Sequence, residues 1–304
     1  MKSKNKMKKL YDFFMNILIN KQIDIKAQKN IQYLRSRFFY NSEMQTSISD
    51  DGFYPQFCYL ASQDREVFNN FRRNTIYTRV LEHVTEEYGK QYLNVILSNS
   101  KLKFSSDDWR KFQDNDLYGN PILTSYQIEE NNILISPSTL RYIKVLMDIM
   151  SEFDTENIRS VAEIGIGYGG QCRIIKSIIP IENYTLFDLP EVLGLAEEYL
   201  KSYKECRTGI RYADSKHIYI NDSYDFVISN YAFSELRRSI QDEYLKKVIL
   251  RSKSGYITWN CLSYEFLDGY SIHELLERIP NSHVIDEKPL TSMKNCIIIW
   301  GNKK

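Results

Sequence analysis

The chain has 304 residues, of which 43% are hydrophobic and 26% are charged, and this composition is typical of a globular protein with one or two domains. Its formal net charge of +1 gives no support for a large basic surface that binds nucleic acid. The five cysteines include no C-x-x-C pair, which argues against a zinc cluster and for reduced thiols in a cytoplasmic protein.

Residues 1–19 combine lysines with apolar residues and superficially resemble a signal peptide. Asp12 and Asn16 interrupt the apolar part, and no small-residue cleavage site follows. We therefore expect an amphipathic helix that packs on the rest of the protein, with contact to an anionic membrane surface as the alternative. No segment of the sequence has the apolar length that spans a membrane.

Residues 1–135 are predicted to form a mainly helical region, and they contain no cofactor motif. Apolar residues at helical spacing predict one helix that is capped by Asn74 and continues to Leu97. Ser105 or Ser106 is expected to cap another helix. We expect this region to act as a substrate lid or in oligomerisation, so the partners considered include a second copy of the chain.

The second predicted domain comprises residues 136–304 and begins with a helix, after a loop that a Gly-Asn-Pro sequence indicates at residues 116–121. Ser136 at the cap position and a proline in the first turn mark the start of this helix. Arg141 and Tyr142 also lie near its start, where they could contact the carboxylate and the aliphatic chain of a cofactor. Exposed surface positions are the alternative for both residues.

A glycine-rich stretch, Val161–Gly170, follows this helix. Its first residues form a predicted buried strand that ends at Ile164, and the glycines allow a sharp turn in which the backbone approaches a ligand closely. Residues 171–179 then begin a helix whose free N–H groups point back at that ligand. A strand, a glycine turn and a helix in this order predict a site for a nucleotide cofactor.

The glycine spacing fits two kinds of cofactor. Gly165, Gly167 and Gly170 match the dinucleotide pattern G-x-G-x-x-G. Glu163 with Gly165, Gly167 and Gly169 matches the acidic-x-G-x-G-x-G pattern of S-adenosylmethionine enzymes. A carboxylate at position 163 suits the ammonium group of S-adenosylmethionine and would lie unfavourably near a pyrophosphate, so we favour the second reading. A glutamate that only accepts hydrogen bonds from local backbone is the alternative.

Polar residues at the ends of the later strands complete the predicted cofactor site. Asp188 ends the second strand, where a carboxylate can accept hydrogen bonds from both ribose hydroxyls, and Leu189 follows it. Asp214 and Ser215 follow a weaker third strand and are expected near the adenine amino group, although a solvated turn is an equal alternative for Asp214. Asn230 ends the fourth strand, beside the reactive sulfonium.

Strands and helices alternate throughout residues 136–304, which predicts an α/β fold with a mostly parallel sheet. Ser239 is expected to cap a helix after the fourth strand. The spacing between the last two strands leaves no room for a helix, and this predicts an antiparallel last strand. The predicted strands comprise residues 161–164, 184–187, 210–212, 224–229, 255–259, 284–286 and 296–300.

Residues 136–304 resemble the class I S-adenosylmethionine-dependent methyltransferases through residues 163–169, Asp188 and the strand that ends at Asn230. The resemblance implies a Rossmann-like sheet with S-adenosylmethionine as the cofactor. Within that class, further segments resemble the bacterial sugar O-methyltransferase family, which implies a sugar, nucleotide-sugar or glycan acceptor and a role in surface-glycan synthesis. These segments are residues 116–121, 136–142, 187–190, 229–236 and 255–260.

Transfer of a methyl group to an alcohol requires that the hydroxyl proton leave during attack, and this calls for a general base or a metal. Glu235 is the first candidate base, because it follows the fourth strand by a few residues. His273 and His83 are the second and third candidates. Glu235 could instead orient a neighbouring arginine, and an isolated histidine is often a surface or core residue.

Two other functions stay open on the sequence alone. The shared glycine spacing allows a nicotinamide-dependent oxidoreductase, and an inactive methyltransferase-like scaffold is the other alternative. The segment after the fourth strand lacks an Asp/Asn-Pro-Pro-Tyr motif, which argues against methylation of a base amino nitrogen. No clustered Asp, His and Glu residues mark a metal site.

Overall fold

The computed structural model describes residues 47, 49, 52–218, 222–261 and 268–301. The amphipathic helix that we predict in residues 1–19 lies outside this part of the chain. No helix among the described residues combines the length and the apolar character needed to cross a membrane.

A seven-stranded sheet forms the centre of the described structure, in the order β5-β4-β3-β6-β7-β9-β8. Only β9 runs antiparallel to its neighbours, β7 and β8, whereas the other pairs are parallel. This arrangement confirms the predicted α/β Rossmann-like fold with an antiparallel last strand. The strands are β3 (Ser160–Ile164), β4 (Asn183–Asp188), β5 (Ile210–Asp214), β6 (Tyr224–Asn230), β7 (Ser252–Trp259), β8 (His283–Asp286) and β9 (Cys296–Trp300); a separate hairpin contains β1 (Thr124–Ile128) and β2 (Asn131–Ile135).

The two faces of the sheet carry two separate hydrophobic cores. Successive strand side chains point to opposite faces, so Phe226 and Ile228 belong to one core and Val227 to the other. Because both faces are covered, the central strands β3, β6 and β7 are buried over most of their length. The α-helices of the described residues are α1 (Tyr54–Gln63), α2 (Arg65–Asn70), α3 (Thr75–Thr78), α4 (Glu86–Ser98), α5 (Ser106–Gln113), α6 (Pro137–Glu152), α7 (Gly170–Lys176), α8 (Pro190–Leu200), α9 (Arg238–Lys247) and α10 (Ile272–Arg278).

The helices that precede residue 136 share a core with one face of the sheet. Phe57, Tyr77 and Phe112 are buried in the same cluster as Leu186 and Phe226. The larger of the two cores therefore joins the N-terminal region directly to the sheet, whereas the boundary between two domains at residue 136 stays a prediction.

The single helix that we predict from Asn74 to Leu97 is wrong, because the structure has two helices there. Asn74 does cap α3, since its side chain accepts a hydrogen bond from the Ile76 N–H at 2.9 Å. The chain then turns, and Thr85 caps α4 by accepting a bond from the Tyr88 N–H at 3.3 Å. The apolar residues between the two helices continue the helical spacing but cover a cavity, which is described below.

Three further local predictions differ in outcome. Ser105 caps α5 in a reciprocal capping box with Asp108, as expected for one of the two serines. Ser136 occupies the cap position of α6, but its hydroxyl accepts a hydrogen bond from Arg72 instead of from the helix. Ser239 is not a cap, because α9 begins one residue earlier and places Ser239 in its first turn.

The β1–β2 hairpin replaces part of the predicted helical region. Tyr126 and Ile128 on β1, and Ile133 and Ile135 on β2, are buried while their neighbours are exposed. This alternation is the signal of a half-buried strand, and it was available in the sequence.

Candidate functional site

The glycine turn after β3 adopts a backbone conformation that other residues rarely accept. Gly165 has a φ of 75°, and a Cβ there would lie 2.0 Å from the Ala232 Cβ. Gly167 has a φ of 55°, and a Cβ there would lie 2.4 Å from a methyl carbon of Leu81. Both positions therefore require glycine, for conformation and for space.

A cavity of about 390 Å³ lies at the carboxyl ends of β3, β4, β5, β6 and β7, with the glycine turn in its wall. This is the edge at which open α/β sheets bind their ligands. The structure brings most of the predicted site residues to this cavity but leaves Gly169, Asp214 and His273 outside it. The predicted residues that line it are His83, Arg141, Tyr142, Glu163, Gly165, Gly167, Asp188, Leu189, Ser215, Asn230 and Glu235.

Glu163 is 1% exposed, and its only described hydrogen-bond donor is the Tyr184 hydroxyl, at 2.7 Å. Burial raises the pKa of its carboxyl to about 8, and this outweighs the opposite effect of the Tyr184 hydrogen bond. Glu163 is therefore mainly protonated at neutral pH, and a cationic group in the cavity would favour its ionisation.

Asp188 holds the glycine turn in place. Its carboxylate accepts hydrogen bonds from the backbone N–H groups of Ile166 at 2.8 Å, Gly167 at 3.3 Å and Leu189 at 2.8 Å. Burial raises the pKa of this carboxyl to about 6, although the three N–H groups act in the opposite direction. Asp188 thus links the end of β4 to the turn that follows β3.

Asp214 and Ser215 take different positions at the end of β5. The Asp214 carboxylate accepts a hydrogen bond from the Lys216 N–H at 2.8 Å and contacts the His217 ring at 3.0 Å, outside the cavity. This geometry favours the turn, which was the alternative for Asp214, over the expected contact with an adenine. Ser215 lines the cavity and donates its N–H to the Asp188 carbonyl at 2.9 Å.

Gly169 supports the turn from outside the cavity. Its φ is 85°, and it caps the start of α7. A Cβ at this position would lie 2.8 Å from the Leu200 side chain, so a packed neighbour and not a ligand excludes other residues.

Arg141 brings a positive charge into the wall of the cavity. The residue is 9% exposed, and its guanidinium donates a hydrogen bond to the Leu81 carbonyl at 3.3 Å. It forms no ion pair with any residue that the structure describes. A buried cation without a carboxylate partner is costly, and an anionic ligand group would supply that partner.

Gln171 links Tyr142 and Asn230 in a hydrogen-bond network across the site. The Gln171 side chain donates to the Tyr142 carbonyl at 3.1 Å and accepts from the Asn230 amide at 3.2 Å. This network connects the start of α6, the start of α7 and the end of β6.

Two of the three candidate bases line the cavity. Glu235 is half-buried and accepts a hydrogen bond from the Asn260 amide at 3.0 Å, and burial raises the pKa of its carboxyl. His83 lies at the rim, where partial burial and the nearby Arg141 guanidinium lower the pKa of the imidazole to about 4. His83 is therefore neutral at pH 7 and able to accept a proton.

His273 lies away from the cavity. Its side chain is 85% exposed on α10, where it lies 3.6 Å from Glu277. The sequence placed it after the fifth strand, but its side chain lies on the solvent-facing side of α10. This position corrects the expectation that His273 takes part in the site.

Several cavity residues were not predicted. Tyr231 has a φ of 65°, which is rare for a residue with a side chain, and its hydroxyl donates to the buried Glu287. Thr291 contacts Glu287 as well, at 2.8 Å. The positive φ of Tyr231 could not be predicted from the sequence. Its position directly after β6, a strand that ends at the site, was a usable signal. The remaining unpredicted residues with polar side chains include Tyr54, Thr85, Tyr88, Tyr92, Asn260, Ser292 and Asn295.

Within the described part of the chain, no group of three or more His, Cys, Asp or Glu side chains is arranged to hold a metal ion. The five cysteines all lie in the described part of the chain, and none of them forms a disulfide there.

Comparisons with known proteins give distant structural similarities. The methyltransferase domain of bacterial CtHen1 shares 15% sequence identity over 53% of this chain and 97% of its own, with a TM-score of 0.42. PigF, solved with SAH, shares 15% identity over 52% of this chain and 60% of its own, with a TM-score of 0.40. An S-adenosylmethionine-dependent methyltransferase from Clostridium acetobutylicum shares 11% identity over 51% of this chain and 87% of its own, with a TM-score of 0.38.

No family model and no curated protein matches the sequence. The Rossmann-like fold is established by the strand order and by the antiparallel last strand, and the three similarities are too distant to add to it.

Proposed function

We propose that this chain is an S-adenosylmethionine-dependent methyltransferase that transfers a methyl group to a hydroxyl of a sugar or of a sugar-containing glycan precursor. The observation that carries the proposal is one cavity in which Glu163, Asp188 and Arg141 surround a glycine turn. S-adenosylmethionine combines an ammonium, a ribose and a carboxylate in one molecule. The two carboxyl groups and the Arg141 guanidinium, which has no ion-pair partner among the described residues, are complementary to these three groups.

The residues around the cavity fit this cofactor. Glu163 would accept hydrogen bonds from the ammonium group, and Arg141 would bind the carboxylate. Asp188 would accept hydrogen bonds from the ribose hydroxyls, with Leu189 and Ser215 beside the adenine. Bound S-adenosylmethionine supplies a methyl group that its sulfonium activates.

The far side of the cavity suits an acceptor with several hydroxyls. Asn260, Thr291, Ser292 and Asn295 offer hydrogen-bonding side chains in its wall. Glu235 is the proposed general base, because it lines this side and the Asn260 amide fixes one of its carboxylate oxygens. His83, neutral at the rim, is the second candidate.

Binding of S-adenosylhomocysteine, measured by isothermal titration calorimetry, tests the cofactor part of the proposal. Asp188→Ala is expected to weaken this binding by about 1.5–3 kcal/mol, the range for hydrogen bonds to a charged group. Asp214→Ala is the matched control, because it removes a carboxylate at the end of the neighbouring strand β5, and this carboxylate does not line the cavity. The affinity of this variant for S-adenosylhomocysteine should equal that of the wild type. Binding of NAD in place of S-adenosylhomocysteine would favour an oxidoreductase.

The affinity for S-adenosylhomocysteine should rise as the pH increases from 6 to 8. Glu163 has a pKa of about 8 without ligand, so pairing with the ligand's ammonium requires loss of a proton, which becomes easier as the pH rises. The limiting slope is about tenfold in affinity for each pH unit, since one proton is released. The Glu163→Gln variant should bind more weakly and show no such slope. An unchanged slope in this variant would mean that Glu163 does not meet the ammonium.

The acceptor is tested separately, by transfer of labelled methyl groups from S-adenosylmethionine to free sugars, nucleotide sugars and glycan fragments. Label in a sugar hydroxyl would support the proposed acceptor. Binding of the cofactor without transfer to any of these molecules would instead favour an inactive scaffold.

A further inference from the structure

One buried arginine connects four segments around the glycine turn. Arg72 is 1% exposed, and its guanidinium lies 2.7 Å from the Glu82 carboxylate and 2.8 Å from the Asp116 carboxylate. It also donates to the Ser136 hydroxyl at 3.1 Å. On another side, its central carbon lies 4.8 Å from the centre of the Tyr168 ring. Tyr168 is itself part of the glycine turn and is fully buried.

Glu82 belongs to the segment that covers the cavity. This covering segment, residues 79–85, joins α3 to α4, and five of its seven residues line the cavity: Val80, Leu81, His83, Val84 and Thr85. Glu82 points the other way, and its side chain is only 6% exposed because it pairs with Arg72. The ion pair therefore anchors the segment from behind.

The covering segment contacts both the glycine turn and the buried cation of the cavity. The Leu81 side chain packs so closely on Gly167 that a Cβ there would lie 2.4 Å from it. The Leu81 carbonyl accepts the hydrogen bond from the Arg141 guanidinium. Displacement of the segment would therefore uncover the turn and release Arg141 at the same time.

Asp116 pairs with the same guanidinium but serves another part of the fold. Its carboxylate accepts hydrogen bonds from the Ser136 N–H at 2.6 Å and from the Thr139 hydroxyl at 2.7 Å, both at the start of α6. Its side chain is 3% exposed, about as buried as that of Glu82. The two carboxylates thus share one cation and similar burial, but only Glu82 lies on the covering segment.

We propose that Arg72 and Glu82 are positioning residues for the cofactor: their ion pair holds the covering segment against the glycine turn and keeps Arg141 directed at the ligand. This inference rests on the proposed function. It assigns part of the cofactor affinity to residues that touch no ligand.

The test compares Glu82→Gln with Asp116→Asn, since each removes one negative charge from the same guanidinium. Glu82→Gln should weaken the binding of S-adenosylhomocysteine by roughly two- to thirtyfold, the range for residues that act through a packed network. S-adenosylhomocysteine should dissociate faster from this variant than from the wild type, and trypsin should cut the variant faster after Arg79. Both variants should have a lower melting temperature than the wild type. Asp116→Asn should nevertheless leave the affinity for S-adenosylhomocysteine and the rate of cleavage after Arg79 unchanged.

The outcomes separate the two proposals. A wild-type protein that does not bind S-adenosylhomocysteine overturns the proposed function and this inference with it. A wild type that binds, with equal losses of affinity in the two variants, shows that the ion pair only stabilises the fold and overturns this inference alone. If Glu82→Gln fails to fold, Leu81→Ala removes the contact with Gly167 but keeps the ion pair, and an unchanged affinity in that variant also overturns the inference.

Discussion

Replacement of Arg72 by methionine is expected to lower the free energy of unfolding by about 3–5 kcal/mol, because it leaves buried carboxylates without their cation. The Glu82 and Asp116 side chains are 6% and 3% exposed, so water cannot replace the guanidinium. Methionine keeps much of the aliphatic volume, which makes the lost charge the main change. Urea denaturation followed by circular dichroism measures the difference.

Arg238→Met is the matched control for this experiment. Arg238 pairs with Glu274 at 3.0 Å, but the two side chains are 34% and 42% exposed, so solvent screens the pair and its loss should change stability far less. Removing both carboxylates in the Arg72→Met background, through Glu82→Gln and Asp116→Asn, should restore part of the loss. If Arg72→Met and Arg238→Met lowered the free energy of unfolding by similar amounts, burial would not be the reason that the Arg72 ion pairs matter for stability.

The Glu235→Gln variant is expected to transfer methyl groups at least about a hundredfold more slowly than the wild type, because it lacks the proposed proton acceptor. Glutamine keeps the size of the side chain and can still accept the Asn260 hydrogen bond. The affinity for S-adenosylhomocysteine should therefore stay the same. Single-turnover transfer of labelled methyl to the identified acceptor measures the effect.

The pH dependence provides a second readout for Glu235. Burial raises its pKa, and only the ionised carboxylate accepts a proton, so the wild-type rate should fall as the pH decreases through that pKa. His83→Gln is the companion variant, because His83 lines the same cavity. Full activity in Glu235→Gln together with a large loss in His83→Gln would assign the base to the histidine.

Much of the sheet could be predicted because its signals are local. Buried parallel strands are rich in apolar residues, and β3 is followed directly by its glycines, so strand, turn and helix were recognisable without knowledge of the fold. The antiparallel direction of β9 followed from the short connection after β8, which leaves no room for a helix. The order of the strands then follows from the fold class.

The error in the helix predicted from Asn74 to Leu97 lies where tertiary contacts, and not the local sequence, determine the course of the chain. The apolar residues of the covering segment have helical spacing, but they face a cavity, and the chain turns there between two capped helices. Helical spacing describes which side chains share a face and does not say whether that face meets a core or a ligand.

The candidate site could be predicted where its residues follow strands directly. The carboxyl ends of parallel strands meet at one edge, so Asp188, Ser215 and Asn230 necessarily lie near the glycine turn. The same logic fails for Asp214, because a neighbouring turn binds its carboxylate, and for His273, because its side chain lies on the exposed face of α10. It also cannot find Tyr92 or Thr291, which reach the cavity from other parts of the fold.

The position of β9 also bears on how the protein is made. Cys296–Trp300 pairs with β7 on one side and β8 on the other, so this strand fills an interior place in the sheet although it is translated after both partners. A nascent chain that has not yet reached residue 296 exposes two unpaired strand edges, which are templates for association with other chains. Synthesis of β9 is therefore the step that covers both of these edges and joins β8 to the rest of the sheet.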